Sequence, residues 1–284
     1  MNLKELKEHF ITELSAYYED ENELLSHFWI ISEELYSISR LDFALNNSVE
    51  VDNSSKLLDA IKRLKKNEPI QHITEKAYFF GNEFIVSESV LIPRPETEEL
   101  VQWIINDNKE TNLNVLDIAT GSSCIAVCLD KELTEAKVSA IDISESALKV
   151  AKKNISIHKS NVNLFKADAL DLQNNDDFSN KKWDVIVSNP PYVKENEKNE
   201  IKANVLDFEP HLALFVSDND PLKFYREIMK YALTNLNNNG LLYFEINQYL
   251  LKETSELAIS LGFKIEEARK DFRGNDRMIK LIKN

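Results

Sequence analysis

Glycine is scarce in this chain: five in 284 residues, against roughly 7% in ordinary proteins. Each of Gly81, Gly121, Gly240, Gly262 and Gly274 is therefore expected to hold a backbone position that needs it. Cysteine is scarcer. Cys124 and Cys128 lie four apart in an apolar stretch that reads as a helix, and with no histidine within ten residues they are read as buried thiols and not as metal ligands. The five histidines, His9, His27, His72, His158 and His211, are scattered and suggest neither a zinc site nor a catalytic triad. Basic residues are outnumbered 34 to 48, a net charge of −14, so bare nucleic acid is a poor first partner. No run approaches the ~20 uninterrupted apolar residues of a membrane span, and the opening MNLKELKEHF alternates charge with leucine, unlike a secretory signal. A cytoplasmic protein without a membrane partner is expected. What is present is 43% hydrophobic content, enough for a sizeable core, in a length that suits about two domains. A disordered or fibrous chain is excluded.

Residues 1–68 show apolar residues at helical spacing: Leu3, Leu6, Phe10 and Leu14, then Leu24, Leu25, Phe28, Ile31 and Leu35, then Leu57, Leu58, Ile61 and Leu64, with polar breaks at 19–22 and 46–55. This predicts a small all-helical domain whose last helix is closed by Pro69. Residues 69–96 read as a linker carrying a β-hairpin, because aromatic and β-branched runs flank Gly81-Asn82. Pro93 and Pro95 keep the backbone extended before Thr97, which is expected to cap a helix with Glu98 and Glu99 in its first turn. From 97 to 284 short apolar strands alternate with amphipathic helices. Strands are expected at 114–118, 137–141, 162–166, 183–188 and 240–246, a polar turn at 235–239, and a closing strand pair at 263–268 and 277–282. The fold class is α/β, a mostly parallel, helix-covered sheet.

Strand 114–118 runs directly into Ala119, Thr120, Gly121, Ser122 and Ser123 and then a helix, which places a tight turn and free amides at the carboxyl edge of the sheet. Asp142 ends the next strand, where a carboxylate can accept both hydroxyl hydrogens of a ribose. Asp168 ends the third and is placed to orient an adenine. A dinucleotide fingerprint would need three glycines, but this loop keeps one and starts from the acidic strand end Asp117. That carboxylate would repel a pyrophosphate, yet suits a ligand carrying an ammonium and a sulfonium. S-adenosyl-L-methionine fits best.

The sharpest motif follows the fourth strand: Asn189, Pro190, Pro191 and Tyr192. Two prolines fix φ and donate no backbone hydrogen bond, so the Pro190 carbonyl is free to accept. The Asn189 carboxamide oxygen is a second acceptor, and Tyr192 supplies a flat face. Two acceptors and a ring are what holding a planar NH₂ requires. A conjugated nitrogen is a poor nucleophile, and hydrogen bonds that take both its N–H groups raise its electron density and aim it at a sulfonium methyl. Positioning then supplies most of the catalysis, several kcal/mol of the barrier at roughly typical effective molarities.

With these residues in view, the sequence resembles the HemK-type family of peptide chain release factor N5-glutamine methyltransferases over nearly its whole length. The most specific stretches are Val90-Leu91-Ile92-Pro93-Arg94-Pro95-Glu96-Thr97-Glu98, the tetrapeptide 189–192, and Phe208-Glu209-Pro210 leading through Ala213-Leu214 to Asp220-Pro221 and Tyr225-Arg226. The resemblance implies a class I, Rossmann-like methyltransferase domain over 97–284, with a C-terminal antiparallel strand. It implies that residues 119–123, Asp142, Ile143, Asp168, Ala169 and Asn189 line the S-adenosyl-L-methionine site, while 189–192 hold the glutamine amide. Arg94, Pro95, Glu96, Glu209 and Pro210 are implied to meet the substrate. The implied substrate is the glutamine of the Gly-Gly-Gln motif of class 1 release factors, which residues 1–68 would grip; the products are the N5-methylated glutamine and S-adenosyl-L-homocysteine. Metal is not expected, and a monomer is the default.

The chain departs from the family at four glycines. The loop usually reads G-T-G-S-G, so Ala119 and Ser123 replace two; Glu75 and Asn247 replace two others. A nucleic-acid amino methyltransferase, acting on adenine N6 or guanine N2, shares the planar target, but no basic cluster beyond 62–66 offers the track such enzymes use. A fold that binds without turnover is opposed by the intact tetrapeptide, and an oxidoreductase by the missing glycines.

Overall fold

The parallel strands set the architecture, and apolar side chains on both of their faces require helices on both sides. The structure, a computed structural model, describes residues 2–45, 54–109 and 112–283. Its contacts divide into two units, residues 1–76 with 202–208, and residues 77–201 with 209–284.

The first unit is helical: α1 (Leu3–Leu14), α2 (Glu21–Tyr36), α3 (Arg40–Leu45), α4 (Ser54–Leu64) and α5 (Ile70–Thr74), joined by the helix Ala203–Phe208. Asn2 and Glu5 form a reciprocal cap at the start of α1. Leu6, Phe10, Leu14, Leu24, Phe28, Ile31, Leu57, Ile61 and Leu64 meet in one core. Leu58, expected in that core, is exposed. Pro69 opens a helix instead of closing one, because it stands just before α5, where its missing N–H costs nothing. The polar break expected at 46–55 lies mostly outside the described residues.

The hairpin is formed by β1 (Lys76–Phe79) and β2 (Asn82–Ile85). Its turn is Phe80-Gly81, one residue earlier than expected, with φ of 50° and 71°, both in the left-handed region that a two-residue hairpin turn needs. The remaining elements are α6 (Pro95–Asp107), β3 (Asn114–Ile118), α7 (Cys124–Glu132), β4 (Lys137–Asp142), α8 (Glu145–Ile157), β5 (Asn163–Lys166), β6 (Trp183–Ser188), β7 (Val193–Lys194), α9 (Ala203–Phe208), α10 (His211–Leu214), β8 (Phe215–Val216), α11 (Lys223–Asn235), β9 (Leu236–Glu245), α12 (Leu251–Leu261), β10 (Phe263–Lys270) and β11 (Asp276–Lys283). Seven strands form one sheet in the order β10-β11-β9-β6-β3-β4-β5, parallel except for β11, which is antiparallel to both neighbours. This is the class I S-adenosyl-L-methionine-dependent methyltransferase topology.

Strand alternation divides the core. Val115, Val138, Val185, Val187 and Tyr243 pack on one side with Leu100, Trp103 and Ile104 of α6 and with α7. Leu116, Ile118, Ile186, Leu242 and Phe244 pack on the other with Tyr225, Ile228 and Met229 of α11. Of the expected turn at 235–239, Asn235 ends α11 and residues 236–239 begin β9. Leu236 pairs with Trp183 and Asn237 donates to Asp184 at 2.6 Å, so the polar run is held as strand. Gly240 permits this, since a Cβ there would lie 3.1 Å and 3.2 Å from the carbonyls of Asn237 and Trp183.

Order reverses between β3 and β6, whose last residues, Ile118 and Ser188, are register partners. Open α/β sheets bind ligands at such a reversal, outside the carboxyl ends of the strands. The Ser188 hydroxyl donates to the Ile118 carbonyl at 2.7 Å, which pins the two strand ends from which residues 119–123 and 189–192 emerge.

Candidate active site

The turn after β3 is tight. The Thr120 amide donates to the carbonyl of Ile141 and the Ser123 amide to that of Thr120, at 2.9 and 2.8 Å. Ala119, Gly121 and Ser123 all have positive φ (61°, 54° and 68°). Two of these three left-handed positions therefore carry a Cβ, at a cost of roughly 1–2 kcal/mol each. Glu75, the third replaced glycine, is also left-handed at φ 58°. The side chains of Thr120, Ser122 and Ser123 are buried, so the turn presents backbone and not side chains. A Cβ on Gly121 would meet nothing within 4 Å, which leaves open space over its backbone.

Asp117 is fully buried on the α7 side of β3. Its Oδ2 accepts from the Thr120 hydroxyl at 2.5 Å, and burial pushes its carboxyl up to about 7 against that hydrogen bond. Asp142 ends β4, and its two oxygens accept the amides of Gly121 and Ser144, both at 2.9 Å. Each oxygen keeps a lone pair for a further donor. Burial raises its carboxyl as well. Ile143, the next residue, is 45% exposed, an unusual position for isoleucine and a ready apolar face for a flat ring. Asp168 follows β5 and accepts from the Leu170 amide at 2.9 Å, with Ala169 buried beside it. This donor and acceptor set fits an adenosine: spare carboxylate lone pairs for ribose hydroxyls, an exposed apolar face, and an open glycine backbone.

The tetrapeptide leaves β6 toward a second feature, a cavity of about 60 Å³ lined by Leu91, Arg94, Asn189, Tyr192, Val193, Ala213 and Leu214. Sequence-predicted residues from three separate stretches thus converge there. Glu209 ties two of these stretches together: it is buried, its Oε1 accepts from Arg94 Nη2 at 2.5 Å, and its Oε2 accepts from the Ile92 amide at 3.0 Å. Pro210 starts α10, which delivers Ala213 and Leu214. Pro95 and Glu96 do not line the cavity. Pro95 is the first residue of α6, and Glu96 pairs with Arg273 at 3.2 Å.

Thr97 does not cap α6, because the helix already begins at Pro95 and Thr97 lies inside the first turn. Its hydroxyl instead donates to Glu245 Oε2 at 2.6 Å and accepts from Asn189 Nδ2 at 3.3 Å. The other oxygen of Glu245 accepts from the Tyr192 hydroxyl at 2.9 Å, and Arg277 reaches the same hydroxyl at 3.4 Å. Arg277 in turn pairs with the buried Asp271 at 3.1 Å. Both ends of the tetrapeptide are therefore tied to one carboxylate. Glu245 is buried at the end of β9, on the Tyr243 side of the sheet that faces α6. Burial pushes its carboxyl upward, opposed by the Thr97 hydrogen bond, the Arg277 charge and the Tyr192 hydrogen bond. Burial and the neighbouring Glu245 raise the Tyr192 phenol far enough that it stays protonated. Behind the tetrapeptide, Asn247 Nδ2 donates to the Tyr192 carbonyl at 3.0 Å and to Glu197 at 2.8 Å.

Sequence reasoning singled out the tetrapeptide and the strand-end carboxylates but passed over Glu245, Arg277 and the bond that Thr97 makes. One signal was available: Glu245 is an acid within the apolar run Leu241-Leu242-Tyr243-Phe244 and Ile246.

The methyltransferase small domain family matches residues 97–208. The chain is 47% identical to the release factor glutamine methyltransferase of Flavobacterium psychrophilum, over 99% of both chains, and 42% identical to that of Bacteroides thetaiotaomicron, over 87% of this chain and 88% of that one. Among solved structures, it resembles the catalytic domain of hMettl16 in complex with a MAT2A 3′UTR hairpin (TM-score 0.55, 16% identity, 72% of this chain and 76% of that one). A methyltransferase from Pyrococcus furiosus is also similar (TM-score 0.52, 19% identity, 81% and 98%). At these identities the structural likeness shows the fold.

Proposed function

The chain belongs to the release factor glutamine methyltransferase family, and from that premise we propose that it transfers the methyl group of S-adenosyl-L-methionine to the side-chain amide nitrogen of the glutamine in the Gly-Gly-Gln motif of class 1 peptide chain release factors. The observation that carries this reading is the direction of the Asn189 side chain. Its Nδ2 is committed to Thr97, so its oxygen remains to accept from a substrate amide beside the carbonyl of Pro190. Tyr192 packs against the amide plane. With both substrate N–H groups held, the nitrogen lone pair is less delocalised and is aimed in line with the methyl group. The proton leaves to water after transfer, and no general base is assigned.

When bound, the cofactor supplies an electrophilic methyl on a sulfonium and leaves as S-adenosyl-L-homocysteine. For this chain's residues, Asp142 would accept the ribose hydroxyls, Ile143, Asp168 and Ala169 would receive the adenine, and the 119–123 backbone would approach the methionine moiety. Asp117 would act on that cation through its buried charge and through Thr120. Arg94, held by Glu209, would steer the substrate chain toward the cavity, with Pro95, Glu96 and Pro210 shaping its approach. In this reading residues 1–68 grip the release factor, 69–96 link, and 97–284 carry the reaction, in a monomeric cytoplasmic protein that does not bind nucleic acid directly. Among the described residues no helix is long and apolar enough to cross a membrane.

Charge supports an amide over a nucleobase: the chain carries a net charge of −14, and its sequence offers no basic cluster beyond 62–66 of the kind a base-flipping enzyme uses to track nucleic acid. The test is incubation of the protein with a purified class 1 release factor and methyl-labelled cofactor, followed by mapping of the modified residue by mass spectrometry. Label on the Gly-Gly-Gln glutamine supports the reading; label on co-incubated ribosomal RNA or DNA alone overturns it.

A further inference from the structure

We propose that Glu245 is a positioning residue whose carboxylate sets the direction of a hydrogen-bond chain, so that Asn189 turns its oxygen, and not its NH₂, toward the substrate. The inference rests on the reaction proposed above and deepens it.

An asparagine side chain can present either end. Which end faces outward is decided by what the inner end meets. Here the inner end of Asn189 meets the Thr97 hydroxyl at 3.3 Å, a group that both donates and accepts. The hydroxyl therefore passes the choice on. Its other contact is Glu245 Oε2 at 2.6 Å, and a carboxylate only accepts, so Thr97 must spend its single hydrogen there. Thr97 is left with lone pairs to offer, and Asn189 must answer with Nδ2. Its oxygen is then the group turned outward.

The second oxygen of Glu245 closes the argument. Tyr192 OH receives an Arg277 N–H at 3.4 Å and gives its own hydrogen to Glu245 Oε1 at 2.9 Å. Glu245 thus accepts at both ends. A carboxamide of the same shape accepts at only one. If the oxygen of a glutamine at 245 faces Tyr192, its NH₂ faces Thr97, the Thr97 hydrogen swings toward Asn189, and Asn189 reverses. If the oxygen faces Thr97, Tyr192 is left between two donors. A neutral isostere therefore breaks one end of the tetrapeptide or the other. An acid buried in the sheet is costly, and this two-ended acceptance is a function that no apolar or amide residue there could perform.

The test compares Glu245→Gln, Thr97→Val and Thr97→Ser with the wild-type protein, using a purified release factor and labelled cofactor, and reading kcat, KM for the release factor, cofactor Kd and melting temperature. Glu245→Gln and Thr97→Val are expected to lower kcat about 10- to 100-fold, with KM and Kd within about threefold. Thr97→Ser, which keeps the hydroxyl, restores kcat to within a few-fold of wild type. Glu245→Gln should remain folded at the assay temperature and keep cofactor Kd within about threefold while kcat falls, and that split, with the recovery in Thr97→Ser, separates positioning from structural support. The inference is overturned if Glu245→Gln and Thr97→Val keep kcat within twofold, or if Thr97→Ser falls as far as Thr97→Val. A wild-type protein that leaves the release factor unlabelled would instead overturn the reaction itself.

Discussion

The backbone amide of Gly121 donates to Oδ2 of Asp142 at 2.9 Å, so the turn after β3 and the end of β4 form one hydrogen-bonded unit. The same carboxylate holds the Ser144 amide through its other oxygen. Asp142→Ala removes both bonds and the proposed ribose acceptor together. Cofactor Kd should rise about 10- to 100-fold, as for loss of a charged hydrogen-bonding group. Calorimetry would check it, and an unchanged Kd would refute ribose recognition at this position.

Ala119 and Ser123 keep the left-handed backbone although each carries a Cβ, which predicts that the turn is strained. Ala119→Gly and Ser123→Gly should each stabilise the protein, by up to roughly 1 kcal/mol after the extra unfolded-state freedom of glycine is set against the relief. The expected rise in melting temperature is about 2–4 °C. A fall on both substitutions would show that the Cβ atoms stabilise the turn.

Burial pushes the Asp117 carboxyl up to about 7, and this gives a pH dependence with a definite sign. The folded-state value lies above the ordinary carboxylate range, so the folded protein binds the proton more tightly than the unfolded chain. Stability from this group is therefore full in acid and is lost as pH rises toward and through 7. Cofactor binding has the opposite sign, because only the ionised carboxylate attracts a cation. Denaturant titrations at pH 5.5 and 8 should show Asp117→Asn gaining stability relative to wild type at the higher pH. Cofactor Kd of wild type should tighten over the same interval, and a Kd independent of pH would contradict a role for this charge.

Much of the fold was legible in the sequence because its strands are apolar on both faces. Val115, Leu116 and Ile118, or Val185, Ile186 and Val187, read as buried strands without any partner in view. The misread elements are those that tertiary bonds decide. Thr97 looks like a cap, but Pro95 has already started the helix and the hydroxyl is taken by a residue 148 positions away. Residues 235–239 look like a turn, yet Asn235 closes α11, and Trp183 and Asp184 hold the residues from Leu236 on as strand. The site divides the same way. Asn189, Tyr192 and Asp142 are local signals at strand ends, whereas Glu245 matters only because α6 and the tetrapeptide meet it in space. Asn247, which stands where the family has glycine, could not be read beforehand as the donor to the Tyr192 carbonyl.

The central claim is that Asn189 acts on the substrate amide and not on the cofactor or the fold. Single-turnover methyl transfer to a release factor by Asn189→Ala, with cofactor Kd measured on the same preparation, tests it most directly. The account predicts a rate at least about 100-fold lower, with Kd within roughly threefold of wild type. A transfer rate equal to that of wild type would contradict it.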